Sequence, residues 1–413
     1  MRYIWKIDGD HAKWKLFLAR LSSGDTVSFN IDALIPMSAS CRKRFRGRFW
    51  RLLADLRRRG IGVDLDALRL ESIKCKYLLL GPKTLHLEII SLCNYHCRFC
   101  RTHSCFKPSV VARGRRHFLS FAAIKKIVRQ ACARGTDSIQ ISGLGEPLLH
   151  PHIVDLVRWL LRADLNVRVF TNGAVPDVVA RLLKIAPNPQ LTFHLNLAAA
   201  DPQKFAQVHG VAAANFNGVL QSAMKLQRRF NVLLNFIIYK DNVDDMEAFL
   251  ELAGHLKFKR VRFKFPFVLS KDQESISCSK RQVDSVLGRL DGIKHQARVL
   301  GVDVDVEMLT AFAAQVAGRV HLKRCYYGWF FAMVNLQGGL FNCCRTFSPV
   351  AKLAGSGFSA AFFSAEFQRV VAKGAEGVDP HRAPWQHCDL CLVLRKNMLI
   401  DSKMRAMGFP NED

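Results

Sequence analysis

Three cysteines lie within one short stretch, CNYHCRFC, at residues 93–100. Cys93, Cys97 and Cys100 have the spacing C-x3-C-x2-C. Thiolates at such close intervals are soft ligands that suit zinc or an iron–sulfur cluster. A structural zinc site needs four closed ligands, usually two separated pairs, whereas this stretch supplies three. Three thiolates on a cubane cluster would leave one iron open to an exchangeable ligand.

The composition of the chain limits its size class, its cellular location and the roles of its cysteines. The chain has 413 residues, including 13 cysteines, and a hydrophobic fraction of 49% that supports sizeable cores. It begins without the apolar stretch of a signal peptide and contains no run of about 18 apolar residues, so we expect a cytoplasmic protein with no transmembrane segment. Because the cytosol keeps thiols reduced, we expect metal ligands or reactive thiols in preference to disulfides.

Residues 42–59, RKRFRGRFWRLLADLRRR, carry a dense share of the net charge of +27. Such a segment suits nucleic acid, an anionic partner or a membrane surface, and Phe45, Phe49 and Trp50 are available to stack or insert. The alternative is a solvated amphipathic helix whose apolar side packs inward. That side would consist of Phe49, Leu52, Leu53 and Leu56.

Residues 1–80 are predicted to form a small α/β module. The patterns predict strand, helix, strand, helix and strand in the order Arg2–Asp8, His11–Leu21, Thr26–Ile31, Cys41–Gly60 and Ile61–Leu65. The segment SFNIDALIPMSAS, which leads into a helix and then GIGVDLD, resembles the STAS-type domains of anti-sigma antagonists and lipid-transport proteins. GPK at residues 81–83 marks the end of this module.

From Thr84 the predicted strands and helices alternate regularly. The strands are LHLEII, DSIQIS, NVRVFTN, LTFHLNL, VLLNFII and RVRFKF, and Ser120 is the candidate N-cap of the first helix. Six repeats predict an α/β fold over residues 84–267, a partial (β/α)6 TIM-type barrel with right-handed crossovers. Chemistry in such barrels lies at the carboxyl ends of the strands, and the three cysteines directly follow the first strand.

Glycines and polar residues follow the later strands at the same edge. Glycines let a backbone approach a ligand closely, and the polar side chains can bind it. Singly, each also fits an ordinary turn, a solvated charge or a satisfied core amide. Together they occur in order, each at the functional end of its strand. The residues are Gly143, Gly145, Glu146, Thr171, Asn172, Gly173 and Asn196.

These motifs resemble those of the radical S-adenosylmethionine (radical SAM) superfamily. Its cysteine loop has this spacing, usually with an aromatic residue just before the last cysteine, and Phe99 occupies that place. The resemblance implies that Cys93, Cys97 and Cys100 hold a [4Fe–4S] cluster, and that the amine and carboxylate of SAM chelate the fourth iron. It further implies a reductant such as a flavodoxin or ferredoxin.

The same resemblance implies contacts with SAM. SGLGEPLLHP is similar to the family's glycine-glycine-glutamate-proline motif, so Gly145 and Glu146 would receive the amine of SAM. Leu144 interrupts the glycine pair, which departs from the family pattern and leaves this contact open. Asn196 stands where the family often contacts the ribose or carboxylate. The activity implied is reductive cleavage of SAM to a 5′-deoxyadenosyl radical, which abstracts hydrogen from a substrate C–H bond.

Five further cysteines gather near the C-terminus. CYYGWFFAMVNLQGGLFNCC predicts a hairpin that turns at Gln337-Gly338-Gly339 and presents thiols at its two ends, and HCDLC adds a pair. Four thiolates would also suit a structural zinc knuckle, since spacing does not separate zinc from iron. The cysteines are Cys325, Cys343, Cys344, Cys388 and Cys391.

Residues 321–400 resemble the cysteine-rich SPASM and Twitch extensions of radical SAM enzymes, an α+β region. The resemblance implies one auxiliary [4Fe–4S] cluster, because no cysteine follows Cys391. Cys344 is an alternative to Cys343 or stands free. Residues 268–320 are expected to bridge barrel and extension. The implied auxiliary ligands are Cys325, Cys343, Cys388 and Cys391.

Three functions are consistent with the sequence. The first is an oxidoreductase that acts on a peptide, a protein or a carbohydrate with help from the auxiliary cluster; His103 and Asp201 are candidate bases, each with a structural role as the alternative. The second is a redox-neutral epimerase in which Cys105, Cys278 or Cys344 returns a hydrogen atom. The third is a basic nucleic-acid-binding protein with structural metal sites, which leaves the strand-end motifs unexplained.

Overall fold

The structure, a computed structural model, forms two β-sheets with flanking helices in the described part of the chain. None of the helices in the part of the chain that the structure describes is both long enough and apolar enough to cross a membrane. The described residues are 2–7, 14–20, 26–29, 39–58, 62–100, 102–104, 118–266, 274–316, 320–344, 346, 348–353, 355, 357–379, 381, 385, 388, 391 and 393–407.

The N-terminal sheet has the strand order β1-β2-β3-β4. Strand β2 pairs antiparallel with both β1 and β3, and β3 pairs parallel with β4. The predicted helix over His11–Leu21 is wrong at Trp14–Arg20, where the structure has a strand, and residues 11–13 and 21 lie outside the described residues. Trp14, Leu16 and Leu18 recur with period two, which is the spacing of a strand. The strands are β1 (Arg2–Ile7), β2 (Trp14–Arg20), β3 (Thr26–Phe29) and β4 (Gly62–Val63).

The basic segment forms most of helix α1 (Ala39–Arg58), which is followed by α2 (Leu65–Lys74). The predicted apolar side of α1 is confirmed, because its four residues are buried. Arg46 is buried as well, and its guanidinium lies over the rings of Trp50, Tyr77 and Phe363. A partner for the exposed basic side chains stays a prediction.

The large sheet has the order β11-β10-β9-β8-β7-β6-β5-β12-β13-β14 and is not closed. Strands β5 to β11 are parallel, as the sequence predicts for a partial barrel. They are β5 (Thr84–Glu88), β6 (Ser138–Ser142), β7 (Asn166–Thr171), β8 (Leu191–Asn196), β9 (Asn231–Ile237), β10 (Arg260–Lys264) and β11 (Asp303–Asp305).

Helices connect these strands and cover one face of the sheet. The predicted N-cap is confirmed, since the Ser120 hydroxyl accepts a hydrogen bond from the amide of Ala123 at 3.2 Å. Phe236 and Phe263 on the sheet contact the ring of Phe249 on a helix. The helices are α3 (Phe121–Cys132), α4 (Ile153–Arg162), α5 (Pro176–Leu182), α6 (Pro202–His209), α7 (Asn215–Gln227), α8 (Met246–His255), α9 (Lys280–Val299) and α10 (Glu307–Val316).

The C-terminal region continues the same sheet. Strand β12 (Phe331–Val334) pairs parallel with β5, and β13 (Gly339–Phe341) returns antiparallel as the predicted hairpin. Gly338 in its turn has a positive φ of 73°, which glycine adopts without strain. The remaining elements are α11 (Tyr327–Phe330), β14 (Ala351–Lys352), α12 (Gly357–Phe362), α13 (Ala365–Glu376) and α14 (Leu394–Ala406).

Candidate functional site

The two groups of cysteines lie at opposite ends of the barrel strands. The loop from Cys93 to Cys100 follows the carboxyl end of β5, whereas Cys325 precedes β12, which runs parallel to β5 and begins opposite Thr84. Four steps of about 3.3 Å along β5 place these ends roughly 13 Å apart. The inner face of the barrel therefore lies between two sets of thiols.

Helix α6 holds the cysteine loop at the carboxyl edge. The amide of His96 donates to the carbonyl of His209 at 3.2 Å, and the amide of Arg98 donates to the carbonyl of Val208 at 2.9 Å. The Nδ1 atom of His209 lies 3.1 Å from the sulfur of Cys97. Sequence reasoning missed His209, because no local motif marks it and its role depends on a partner more than a hundred residues away.

The thiols of this loop sit in a buried environment. Burial raises the pKa of Cys93 to about 11 and that of Cys97 well above its ordinary value, and neighbouring thiolates add to both shifts. Mutual repulsion of this kind is what a bound cation relieves. The sulfur of Cys100 accepts from the amides of Thr102 and His103 at 3.5 and 3.2 Å.

The donor set fits an iron–sulfur cluster in its chemistry. It consists of thiols alone, and backbone N–H groups point at one sulfur, as they do around cluster ligands. No three His, Cys, Asp or Glu side chains stand in a metal-holding arrangement within the described ranges. Binding would therefore require the side chains of Cys93, Cys97 and Cys100 to turn towards one another.

Glu146 joins the ends of two barrel strands. Its Oε1 atom accepts from the Leu148 amide at 2.9 Å and the Thr171 hydroxyl at 2.6 Å, and its Oε2 atom accepts from the Asn172 amide at 2.8 Å. Burial raises the pKa of this carboxyl to about 7, although these hydrogen bonds oppose the shift. Glu146 is thus an internal connector, and a contact with SAM stays a prediction.

The two motif glycines allow the strand-end loops to pack closely. A Cβ atom on Gly145 would clash with the carbonyl of Leu92 and would lie 2.7 Å from the carbonyl carbon of Ser91. A Cβ atom on Gly143 would lie 3.2 Å from the Cα of Glu88. These glycines therefore admit the segment that leads into the cysteine loop, in addition to any approach to a ligand.

Asn172 ties the third strand to the cysteine loop. Its Nδ2 donates to the Oδ1 of Asn94 at 2.8 Å, and its Oδ1 accepts from the amide of Ala174. The Nδ2 of Asn94 donates in turn to the carbonyl of Ala174 at 3.3 Å. The motif beginning at Thr171 thus positions the loop, and Gly173 has a φ of 73° at this turn.

Two asparagines point unpaired polar atoms to the inner face. The Oδ1 of Asn196 is buried and has no hydrogen-bond partner among the described residues. Asn235 lies opposite Asn196 on the next strand and is 0% exposed, and both its amide atoms are unpartnered in the same part of the chain. Buried amides without partners are rare, which favours a ligand here. Sequence reasoning missed Asn235, although a polar residue within VLLNFII is a visible signal.

Phe99 packs beside the loop rather than facing an open pocket. Its ring meets the ring of His209 edge-on with centroids 5.7 Å apart. It also contacts a small apolar cluster that includes Val208 and Tyr239. The structure thus places Phe99 in the support of the cysteine loop.

The C-terminal cysteines come together in the structure. Cys343 and Cys344 share a hydrogen bond, which together with burial raises the pKa of Cys343 well above its ordinary value. Burial also raises the pKa of Cys391, with Cys325 and Cys388 close enough to add to the shift. All five sequence-predicted thiols are therefore neighbours.

The candidate bases have structural partners. The Nε2 of His103 donates to the carbonyl of Ser91 at 2.7 Å. Asp201 caps helix α6 by accepting from the amides of Gln203 and Lys204, both at 2.9 Å. These contacts account for both side chains without a catalytic role.

The three candidate hydrogen donors differ in their surroundings. Cys105 lies outside the described residues. Burial raises the pKa of Cys278 to about 12, and Asp241 and Asp244 add to the shift. Cys344 is close enough to Lys264 of β10 to oppose the fall in the pKa of that lysine. Of the two described candidates, Cys344 is the one beside the auxiliary thiols.

A separate groove of about 630 Å³ lies away from both sets of thiols. It runs between helix α3, at Ala123 and Gln130, and the hairpin turn at Gly338. The described residues that line it include no cysteine, histidine or acidic residue. We assign it no part in the chemistry.

Comparison of sequences gives one family and a set of distant relatives. The profile of the Radical SAM superfamily matches residues 87–253. A probable GTP 3′,8-cyclase of Saccharolobus islandicus is 28% identical over 176 residues, or 42% of this chain and 53% of the relative. The GTP 3′,8-cyclase of Acidothermus cellulolyticus is 26% identical over 183 residues, or 42% and 49%. The chain spans about half the length of these curated relatives.

Comparison of structures gives neighbours of the same fold. Streptococcus suis SuiB bound to S-adenosylmethionine has a TM-score of 0.52 at 16% identity, over 68% of this chain and 64% of the neighbour. The protein anSMEcpe with bound AdoMet has a TM-score of 0.55 at 13% identity, over 76% and 85%. At these identities the likeness establishes the architecture.

Proposed function

We propose that this chain, whose residues 87–253 form a radical SAM domain, is an enzyme that cleaves S-adenosylmethionine reductively and removes hydrogen from a substrate carbon by means of the resulting 5′-deoxyadenosyl radical. The observation that carries the proposal is the convergence at one edge of the barrel. There the loop from Cys93 to Cys100 meets the ends of β6, β7 and β8, through Gly145, Asn172 and His209.

In this proposal Cys93, Cys97 and Cys100 hold a [4Fe–4S] cluster. When bound, the cluster supplies the electron that cleaves SAM, and a reductant such as a flavodoxin or ferredoxin would replenish it. The chain fixes the loop through its bonds to Val208 and His209. The backbone amides at Cys100 stabilise the negative charge of its thiolate.

The unpaired amides are the proposed contacts for SAM. Asn196 and Asn235 supply donors and acceptors at the carboxyl half of their strands, where the buried atoms have no partners among the described residues. The Oε2 atom of Glu146 accepts one hydrogen bond from the described residues, so it retains capacity for the amine of SAM. The contacts of Thr171 and Asn172 act through Glu146 and the cysteine loop.

We propose that the C-terminal region holds an auxiliary [4Fe–4S] cluster, with Cys325, Cys343, Cys388 and Cys391 as ligands. This rests on the proximity of the five thiols. Such a cluster would place a second electron-accepting centre at the amino end of the barrel. An oxidation of the substrate is therefore the first proposed reaction class.

The substrate class is open to three suggestions. The name of the Saccharolobus islandicus relative points to a nucleotide, GTP. SuiB has been solved with a precursor peptide, which points to a peptide or protein. A carbohydrate is the third class that the sequence suggests.

For each of these substrate classes we propose the same domain organisation: a small N-terminal module at 1–80, a barrel at 84–267, a bridge at 268–320 and an extension at 321–400. We also propose that the protein is cytoplasmic.

The decisive experiment measures SAM cleavage directly. Anaerobically reconstituted protein, dithionite and SAM should yield 5′-deoxyadenosine, detected by chromatography. The variant with Cys93, Cys97 and Cys100 replaced by alanine should yield none. Cys132→Ala, which removes a partly buried thiol on helix α3, is the control and should match the unmodified chain. Product formation by the triple variant would refute the proposal.

A redox-neutral epimerisation is the second candidate, since Cys344 is close enough to Lys264 of the barrel to affect the pKa of that lysine. In that reaction Cys344 would return a hydrogen atom to the substrate carbon radical and become a thiyl radical, which one electron from the reductant, passed through the proposed auxiliary cluster, and one proton from the solvent would restore to the thiol. Deuterium from the solvent would then enter the product at one carbon, and product mass would otherwise be unchanged. A loss of two mass units would instead identify oxidation.

A further inference from the structure

The inner face of the barrel carries an unusual set of cations. Phe263 on β10 points to the helix layer, because its ring contacts Phe236 and Phe249. Successive side chains on a strand point to opposite faces. Arg262 and Lys264, on either side of Phe263, therefore face the barrel interior.

Strands β7 and β8 add to this set. The ring of Phe193 contacts Phe230 on the outer side, so its neighbour His194 faces inward. The ring of His194 lies 4.4 Å from that of Phe170, which shares its strand face with Arg168 two residues earlier. Arg168 is thus an inner-face cation as well.

Two of the three inner cations have no ion-pair partner among the described residues, and the carboxylate of Asp137 is only close enough to Arg168 to oppose the fall in its pKa. Arg262 pairs with Asp305 at 2.7 Å. Neither the side chain of Arg168 nor that of Lys264 forms an ion pair or a hydrogen bond within the part of the chain that the structure describes. Arg168, Arg262 and Lys264 are partly buried, and a partly buried cation is costly unless an anion or hydrogen bonds compensate it; three cations on one face also repel one another.

The electrostatics of the face agree with this geometry. Burial lowers the pKa of Lys264 to about 8, and Arg262 beside it adds to the shift. Burial lowers the pKa of His194 well below its ordinary value, with Arg262, Arg168 and Lys264 contributing. His194 is therefore neutral at pH 7, and its buried Nδ1 has no partner in the described part of the chain.

Two of these cations lie near the C-terminal cysteines. Burial lowers the pKa of Arg168, and the phenol of Tyr327 beside the auxiliary thiols is close enough to oppose that shift. Cys344 in the same way opposes the shift of Lys264. Asn235, which is opposite Arg262 in register, offers unpaired amide atoms at the other side of the face.

We propose that Arg168, Arg262 and Lys264 form a subsite for an oxyanion of the substrate, a phosphate or a carboxylate, inside the barrel. That the anion belongs to the substrate rests on the proposed function, whereas the anion site itself is inferred from the positions of these side chains on the inner face. Planar guanidinium groups match such oxyanions by paired hydrogen bonds, and a lysine adds a point charge. Three cations suit a multiply charged anion better than the single carboxylate of SAM.

Calorimetric titration of the anaerobically reconstituted chain tests the subsite. The probes are inorganic pyrophosphate and the tricarboxylate tricarballylate, and iron content is checked after each titration. Pyrophosphate should bind, and Arg168→Gln and Lys264→Gln should each weaken it by about tenfold or more, the factor that corresponds to about 1.4 kcal/mol. SAM should bind the variants as it binds the unmodified chain. Stronger binding of tricarballylate would identify a carboxylate as the group recognised.

The matched control is Arg158→Gln, which removes the same charge from the exposed side of helix α4, where Arg158 pairs with Asp155 at 3.0 Å. It should change pyrophosphate affinity by less than about twofold. Thermal unfolding identifies a variant that fails to fold, and the two inner-face substitutions are independent of each other.

Two results would overturn the subsite. One is the absence of binding of either probe at millimolar concentration. The other is an equal loss of SAM and pyrophosphate affinity in the variants, which would assign the cations to SAM. If 5′-deoxyadenosine forms while neither probe binds, the subsite alone fails. If none forms, the proposed radical chemistry fails whatever the titrations show.

Discussion

The Nδ1 atom of His209 lies 3.1 Å from the sulfur of Cys97, and the Nε2 atom of the same ring donates to the carbonyl of Leu197 at 2.7 Å. The second bond fixes the tautomer, so a neutral His209 presents a lone pair to the sulfur. Burial lowers the pKa of His209 to about 4, which keeps the ring neutral at pH 7. His209 therefore links the cysteine loop to the end of β8 by one rigid side chain.

Replacing His209 by leucine should loosen that link. The substitution keeps an apolar volume but leaves the carbonyl of Leu197 buried without its donor, at a cost of about 1–3 kcal/mol in the free energy of unfolding. Because the loop also loses the packing of the imidazole ring against Tyr95 and Phe99, we expect a lower iron content after reconstitution. Urea unfolding and iron analysis are the two measurements.

The control for this prediction is His150→Leu. His150 is also buried, and its Nε2 donates to the carbonyl of Leu119 at 2.8 Å, away from the cysteine loop. Its loss should lower stability by a similar amount and leave the iron content unchanged. Equal iron loss in both variants would show that iron content reports only general stability.

Gly145→Ala should disrupt the packing of the cysteine loop. The added methyl group would clash with the carbonyl of Leu92, and that backbone atom has no flexible side chain to move aside. We expect a loss of about 3 kcal/mol or more in the free energy of unfolding. Gly218→Ala is the control: it lies within helix α7 with no atom within 4 Å of the new methyl group, so it should stabilise by up to about 1 kcal/mol. A neutral Gly145→Ala would contradict the close approach.

Glu146→Gln should change how stability depends on pH. Burial raises the pKa of Glu146 from 4.5 to about 7, so the stability that its protonation contributes is present below about pH 4.5 and is lost as pH rises through 7. Glutamine removes that titration, but it also replaces one acceptor that Thr171 or Asn172 needs. We expect a loss of about 1–3 kcal/mol at pH 6 and a flatter profile from pH 5 to pH 8. Urea unfolding across that range is the measurement, with exposed Glu366→Gln as the unaffected control.

Iron and sulfide analysis separates the alternatives for the C-terminal thiols. Two cubane clusters require about eight irons per chain, whereas about four irons with one zinc would indicate a structural zinc site. Cys325→Ser should reduce the iron content to about four. Cys343→Ser and Cys344→Ser, compared side by side, identify which of the adjacent thiols is a ligand. Iron retained in full by Cys325→Ser would exclude that thiol.

Anion binding by the inner face should depend on Lys264. Because its pKa is lowered to about 8, the ammonium is charged at pH 7 and mostly neutral at pH 9. Pyrophosphate affinity should therefore fall by about tenfold over that interval relative to Lys264→Gln, in which the charge is absent at both pH values. Parallel pH profiles for the two proteins would show that Lys264 does not titrate in this way.

The sequence patterns predicted the barrel well because local spacing determines its elements. Strands such as LHLEII alternate with helices of period 3.6, and the Ser120 cap marks a start that the structure confirms. The same reasoning was wrong for Trp14–Arg20, whose short apolar run was taken for a helix. Short apolar segments are ambiguous when their pairing partner decides the outcome.

The parts of the site that depend on contacts between distant residues were harder to predict from the sequence. Nothing near His209 indicates that it meets Cys97, and nothing near Glu146 indicates its bonds to the next strand. The inner-face cations can be recognised more easily from the sequence. Strands buried on both faces are usually apolar throughout, so Arg168 in NVRVFTN and Arg262 with Lys264 in RVRFKF mark a face that is meant for polar contact.

The pairing of β12 with β5 has a consequence for synthesis of the chain. About 250 residues separate Thr84 from Phe331, its partner across that pair. During translation at about 5–20 residues per second, the edge of β5 that pairs with β12 stays unpaired for roughly 12–50 s. A bare strand edge readily recruits whatever extended chain reaches it first. Nascent chains on the same messenger RNA are therefore prone to pair with one another through this edge. A chaperone that covers the edge would raise the yield of correctly folded protein.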